Sequence, residues 1–299
     1  MSRHSDLRAI RRNLLRWYRR SARDLPWRRT RDPYRILVSE VMLQQTQVAR
    51  VTTFYGEFLK KFPNVRTLAS ATPGTVVRTW RGLGYNMRAL RLRALAVHLR
   101  DSLHGRFPRD VEELERLPGI GPYTARAVAC FAFGAAVPVL ETNVRRVVLR
   151  LFPKLAHRED LWDLVAEILP RRSAYDWNQA LMELGSTICG ASAPLCGACP
   201  LSGLCPSSGR AQRVRSPGPI REDSYRGQPR RIYRGRIVAL LGRTNNGKPA
   251  PLDRIGDAIF PSFSRRDDPF LKKTLTVLEL DGLVNITRRG QSWSVSLVR

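Results

Sequence analysis

The sequence predicts a mainly α-helical protein with a small α+β module at its C-terminal end. Apolar residues in positions 1–206 recur at helical spacing, with turns marked by proline and glycine and no convincing strand alternation. Alternation appears in LVNITRRGQSWSVSLV (283–298), two short runs joined by an Arg-Arg-Gly turn. Between these regions, RAQRVRSPGPIREDSYRGQPRR is rich in arginine, proline and glycine and poor in apolar residues, as a linker is.

The first element is a basic amphipathic helix with Leu7, Ile10, Leu14, Trp17 and Tyr18 at helical spacing. Asp6 and Asp24 lie close by, which favours a domain helix over a targeting segment. A second helix is expected to open with Asp32 as cap and Pro33 in the first turn, carrying Leu37, Val41, Val48, Val51, Tyr55 and Phe58 on one stripe. Further helices fit 73–80, 87–103, 111–117, 123–133, 143–151 and 161–169. The expected organisation is a helical core over 1–206, a basic linker over 207–231 and a C-terminal module over 232–299. That module holds helices near 234–241, 252–259 and 270–280 ahead of the basic hairpin, a winged-helix-like pattern.

Charge narrows the partner. Over 299 residues, 52 Lys and Arg stand against 25 Asp and Glu, a formal net charge of +27. An excess of this size, mostly arginine, points to a polyanion, because each neutralised phosphate releases counterions. No run of 18 or more apolar residues is present, so no membrane span is expected. Five cysteines without a secretory signal argue for a reducing compartment and against a disulfide framework. A cytoplasmic, nucleoid-associated monomer is expected.

Cys189, Cys196, Cys199 and Cys205 form the pattern C-x6-C-x2-C-x5-C, too closely spaced to staple distant elements. Such a set demands a metal centre, and spacing alone leaves tetrahedral zinc and an iron–sulfur cluster equally open. Cys130, in the apolar run AVACFAF, reads as a buried core thiol. LPGIGPYTARAVACFAFG (117–134) is a turn between helices, where Gly119 and Gly121 would let the backbone approach a phosphate. A lone acid, Glu141, follows Gly121 by 20 residues and precedes the helix TNVRRVVLRL.

Together these stretches resemble the helix-hairpin-helix DNA glycosylase superfamily and, within it, the adenine DNA glycosylase (MutY) family. The carrying motifs are LPWRRTRDPYRILVSEVMLQQTQV (25–48), RGLGYNMRAL (81–90), LPGIGPYT (117–124), LETNVRRV (140–147) and NQALMELGSTIC with the cysteine set (178–205). The resemblance implies a two-lobed helix-hairpin-helix glycosylase fold with the active site between the lobes. It also implies a [4Fe-4S] cluster on the four cysteines, and double-stranded DNA with mispaired or damaged bases as the partner. The reaction it implies is monofunctional hydrolysis of the N-glycosidic bond of adenine opposite 8-oxoguanine or guanine.

Breaking a base–sugar bond passes through an oxocarbenium-like state, so an acid must protonate the leaving purine and an anion must face the cation. By pattern alone Glu40 could sit on a solvated helix face; beside Ile36 and Leu43 it could equally be a carboxyl kept protonated. The resemblance assigns Glu40 as the acid, Glu141 as the anion and Asn143 as its assistant. It places Trp27, Arg28, Leu43, Val48 and Glu183 in the adenine pocket. Gln45 and Tyr85, with Thr46 and Leu83 beside them, match residues that meet the duplex on the opposite-base side. Tyr123 stands where bifunctional relatives place a Schiff-base lysine.

Three positions depart from the family pattern. Glu141 replaces aspartate, Asn86 replaces a second tyrosine, and residues 232–299 do not resemble the nudix-like domain that reads 8-oxoguanine in many members. The alternatives are a thymine or uracil glycosylase of the same fold, and a damaged-DNA-binding protein with weakened catalysis.

Overall fold

Capping side chains and prolines set most helix starts, as the sequence leads one to expect. A computed structural model describes residues 3–153, 161–210, 223–243, 249–290 and 292–298. Two compact units emerge from it: Met1–Leu37 with Pro108–Arg116 and Ile120–Pro219, and Val38–Phe107 with Leu117–Gly119 and Ile220–Arg299. Among the described residues no helix is long and apolar enough to cross a membrane.

Helix α1 (Arg3–Ser21) buries Ile10, Leu14 and Tyr18. Helix α2 (Pro33–Leu43) is capped by Asp32, whose Oδ1 accepts from the amides of Tyr34 at 2.8 Å and Arg35 at 3.3 Å. The stripe expected to run through one helix to Phe58 is instead carried by two. Helix α2 stops at Leu43 and α3 (Val48–Lys61) starts afresh, because Gln45 adopts φ 53° and breaks the hydrogen-bond ladder.

The second unit then builds a helical layer from α3, α4 (Val65–Ser70), α5 (Pro73–Trp80) and α6 (Met87–Leu103). An Asn64–Thr67 capping box opens α4, and Thr72 followed by Pro73 opens α5. Phe58, Leu68, Trp80 and Leu99 lie at 2% exposure or less in this layer.

The first unit resumes with α7 (Val111–Glu115), which Asp110 caps. It continues through α8 (Pro122–Phe133), α9 (Thr142–Leu151), α10 (Leu161–Glu167) and α11 (Ala174–Thr187). Helix α11 is the spine of this unit, packing on α1, α8 and α9 and burying Trp177, Ala180, Leu181 and Leu184.

Residues 211–222 of the expected linker lie outside the described residues, but its last stretch is folded. Strands β1 (Ser224–Tyr225) and β2 (Gln228–Pro229) form a small hairpin leading directly into α12 (Arg230–Arg243). Tyr225 stacks on Phe270 with centroids 4.2 Å apart, so an aromatic contact that composition conceals ties this stretch to the module core.

The remaining order is β3 (Ala250–Pro251), α13 (Leu252–Ile259), α14 (Asp268–Leu280), β4 (Val284–Arg289) and β5 (Ser292–Leu297). The sheet order is β3-β5-β4, all antiparallel. Helix–strand–helix–helix–strand–strand with the last strand central is winged-helix topology. Two-residue strand β3, too short to leave an alternating signature, completes it.

Candidate active site and four-cysteine centre

The approach to Glu141 is fixed before α9 begins. Asn178 on α11 accepts from the Val139 amide at 3.0 Å and donates Nδ2 to the Val137 carbonyl at 2.9 Å. At 2% exposure, this amide holds the extended segment 137–141 against the unit's core. Glu141 is the N-cap of α9. Its Oε2 accepts from the Asn143 backbone at 2.8 Å and from Asn143 Nδ2 at 3.2 Å, while Oε1 accepts from the Val144 amide at 2.9 Å. Burial pushes its pKa up from the usual carboxylate value, against the pull of these donors and of Arg146 nearby. The geometry yields a carboxyl held at a helix N-terminus, where the anionic form is favoured by the dipole and disfavoured by desolvation.

One turn further along, α9 turns two arginines toward the cysteine loop. Arg146 donates Nη2 to Asn143 Oδ1 and to the Gly185 carbonyl, both at 2.6 Å, and Nε to the Cys189 carbonyl at 2.8 Å. Arg150 donates Nη1 to Cys189 Sγ at 3.2 Å and to the Gly190 carbonyl at 2.7 Å, and Nη2 to the Ala191 carbonyl at 2.9 Å. Arg146 is 9% exposed and Arg150 5%, so neither is the solvated cation that most arginines of this chain are expected to be. Sequence reasoning missed both. Their signal was spacing: two arginines four residues apart on a helix whose buried face also carries Val144, Val147, Val148 and Leu151.

A Cβ built on Gly185 would stand 2.6 Å from Asn143 Cβ and 3.0 Å from its carbonyl oxygen. Glycine there lets α11 approach the first turn of α9 closely.

Cys189, Cys196, Cys199 and Cys205 line one small open cavity of about 30 Å³, together with Arg150, Ile188 and Ser207. Ser207 closes it by donating to the Arg150 carbonyl at 2.9 Å. All four thiols are unpaired by disulfides, as is buried Cys130. Among the described residues no three His, Cys, Asp or Glu side chains converge as a site for a single metal ion.

The expected pocket residues of the first unit form a buried ion network. Glu183, 0% exposed, accepts from Arg23 Nε at 2.7 Å and Arg28 Nη2 at 2.7 Å. Burial opposes its ionisation, but the Arg23 and Arg28 partners outweigh it and hold the pKa below the usual value. Arg28 also donates to Gln179 Oε1 at 2.9 Å and lies over the Tyr18 ring, and adjacent Trp27 is 6% exposed. Tyr123 sits half-buried in the first turn of α8, behind Gly121 at the N-cap. Gly119, φ +80°, makes the preceding turn in the left-handed region.

In the second unit Glu40 is 5% exposed on α2, one turn from buried Ile36, which removes the solvated-face reading. Leu43 and Val48 are half-buried, and Leu83 is buried at 5%. Gln45 and Tyr85 are both non-glycine residues at positive φ, 53° and 47°, and Tyr85 is 49% exposed. Strained backbone under an exposed aromatic is held by something, and here it is Arg88.

Its Nη1 donates to the carbonyls of Val41, Met42 and Gln44, and its Nη2 to Thr46 Oγ1 at 3.0 Å and the Gly84 carbonyl at 3.1 Å. One guanidinium, 7% exposed with its pKa lowered to about 10 by burial, thus ends α2 and clamps both loops. Sequence reasoning missed Arg88, although it lies inside a motif already singled out.

Comparison with known proteins adds three findings. Residues 38–166 match the HhH-GPD superfamily base excision DNA repair protein family. The chain is 41% identical over 291 residues to an adenine DNA glycosylase of Mycolicibacterium smegmatis, covering 93% of each chain. It is 42% identical over 210 residues to the adenine DNA glycosylase of Homo sapiens, covering 65% of this chain and 38% of the human one. Among solved structures, a thermostable thymine-DNA glycosylase is similar with a TM-score of 0.64 at 31% identity, over 68% of this chain and 96% of the other. A non-covalent endonuclease III–DNA complex follows at 0.59 and 26%, with the same coverage.

Substitutions at two positions test this geometry. Arg88→Ala releases the Gln45 and Tyr85 loops, and base release measured in single turnover is expected to fall about a hundredfold. Arg88→Lys is expected to rescue little of it, since an ammonium cannot span these acceptors. Gly185→Ala is expected to displace Asn143 and slow base release while leaving Glu40 untouched; the same assay, with a thermal melt as control, checks it.

Proposed function

The chain belongs to the adenine DNA glycosylase family, and on that premise we propose that it hydrolyses the N-glycosidic bond of adenine opposite 8-oxoguanine or guanine in double-stranded DNA. The observation that carries this reading is the 41% identity shared over 93% of both chains with the mycobacterial relative. The charge of +27 supports a phosphate backbone as the partner surface.

In the proposed reaction the target nucleotide leaves the stack, at a cost of a few kcal/mol. Glu40 donates its proton to a ring nitrogen of the purine as the bond to the sugar carbon breaks. The electron pair of that bond leaves with the base, and positive charge spreads over the sugar carbon and ring oxygen. The Glu141 carboxylate faces that charge, with Asn143 and the α9 amides fixing its oxygens. A water then attacks the sugar carbon and gives its proton back to the ionised Glu40 carboxylate, leaving an abasic site and free adenine. Tyr123 offers no amine for a Schiff base, which supports hydrolysis without strand cleavage. The buried Arg28–Glu183 pair is proposed to contact the adenine together with Trp27.

We extend the reading to a [4Fe-4S] cluster held by Cys189, Cys196, Cys199 and Cys205, supported by the cavity those four sulfurs share. When bound, such a cluster supplies thiolate–iron bonds that close the loop over 189–205. Arg150, donating to Cys189 Sγ, supplies a charge-assisted hydrogen bond to that ligand.

The deciding experiment is single-turnover cleavage of duplexes with A:8-oxoG, A:G, T:G and U:G pairs, each assayed with and without alkali. Cleavage of the adenine duplexes, visible only after alkali, is expected. Intact adenine duplexes with T:G or U:G cut would favour the thymine glycosylase likeness instead. Base release is expected to fall toward acid as Glu141 takes up a proton. Because burial raises its pKa, that limb lies above the ordinary glutamate value of about 4.3. Elemental analysis is expected to find about four irons per chain and no zinc.

A further inference from the structure

The C-terminal winged helix is not used by the chemistry above, yet its surface is neither random nor apolar. Helices α13 and α14 form a helix-turn-helix, and in that arrangement the second helix and the strand hairpin after it share one outward face. Here that face is basic. Arg265 and Arg266 are exposed ahead of α14, Lys273 on it is 66% exposed at its side chain, and Arg289 is exposed at the tip of the hairpin.

Trp293 on β5 joins the two elements. Lys272 from α14 lies over its ring at 5.7 Å and Arg288 from β4 at 4.7 Å. Glu279 partly neutralises Arg288, pairing with it at 2.5 Å, and also accepts from the Ile286 amide at 3.1 Å. This acid fixes helix and hairpin together. Exposed Asp223 lies 3.9 Å from Lys273 Nζ and offsets part of its charge, and Lys272, Arg266 and Arg289 with Lys273 leave the face net basic.

The opposite end of the module is docked within its own unit. Val77 of α5 is part of the module's apolar core, with Met87 and Leu90 packed against it. A Cβ on Gly74 would come within 2.0 Å of the Val298 carbonyl oxygen, so chain and helix touch backbone to backbone. Gly242, at the end of α12, lies against Arg78 and Arg81. The register runs from Val284↔Leu297 at the docked end to Arg289↔Ser292 at the tip. The basic tip therefore points away from the anchor, and the anchor abuts the loop that carries exposed Tyr85.

We propose that the basic face formed by α14 and the β4–β5 hairpin is a second duplex-binding surface, which grips the phosphate backbone of double-stranded DNA regardless of the base pair at the lesion. It rests on the reading that this chain acts on DNA. It concerns grip on the duplex rather than reading of the opposite base, which phosphate contacts cannot supply.

The test uses the full chain with Lys273→Ala and Arg289→Ala combined, neither residue being part of the catalytic machinery. Binding to a fully paired 30-mer duplex is followed by fluorescence anisotropy across a salt series. Removing two phosphate contacts is expected to weaken binding about tenfold or more and to make the log–log salt slope shallower by about two. The charge-retaining pair Lys273→Arg and Arg289→Lys is expected to keep affinity and slope, which separates loss of charge from loss of fold. The single-turnover rate on the A:8-oxoG duplex at saturating enzyme is expected to stay that of the unsubstituted chain.

Unchanged affinity and slope in the alanine variant would overturn the proposal, and the face would then serve some other partner. The two readings fail separately. Weakened duplex binding with no cleavage of any adenine duplex would sink the proposed reaction and leave this surface standing.

Discussion

The first unit depends on helix α9 being gripped from its buried side by two arginines. Arg146 and Arg150 reach from that helix to the carbonyls and one sulfur of the cysteine loop, and Arg146 also holds Asn143. The same helix begins at Glu141. The carboxylate and the cysteine centre are thereby attached to one rigid element about 15 Å long. Anything that frees the loop removes acceptors from both guanidiniums and leaves buried charge with fewer partners, a costly state. The closeness of Gly185 to Asn143 adds a packing constraint from α11 to this electrostatic one.

Arg88 plays the corresponding part in the second unit. It satisfies the terminal carbonyls of α2 and keeps two loops in backbone conformations that non-glycine residues rarely adopt. Both units therefore solve the same problem by burying arginine whose donors reach mainly backbone carbonyls. In a chain this rich in arginine, the exposed cations are proposed to face a polyanion while a few buried ones act as fasteners. Burial distinguishes the two uses.

Much of this was legible in the sequence. The Asp32 cap, the 73–80 and 87–103 helices, and the basic hairpin follow from proline position, apolar spacing and alternation, all local signals. Glu141, Asn143 and the four cysteines stood out because they sit in short motifs. The break after Leu43 was not, since the group that enforces it, Arg88, lies 45 positions away. Nor was the Tyr225 hairpin, whose stability comes from stacking on Phe270 rather than from its own arginine- and glycine-rich composition. The buried roles of Arg146 and Arg150 escaped for a related reason: charge in a basic chain reads as surface until a partner is seen.

Glu141 remains the centre of the account. Glutamate is an uncommon N-cap, and its extra methylene relative to the family's aspartate is accommodated by curling back onto the Asn143 and Val144 amides. Capping and the proposed catalytic role thus draw on the same oxygens, and they separate only if charge is removed while shape and hydrogen-bond acceptance are kept. Glu141→Gln does that. Single-turnover base release by this variant, with duplex affinity and melting temperature measured alongside, tests the claim most directly. The account predicts a loss of about a hundredfold or more in rate with affinity and melting temperature retained. A variant that releases adenine at the unsubstituted rate would show that Glu141 only caps a helix.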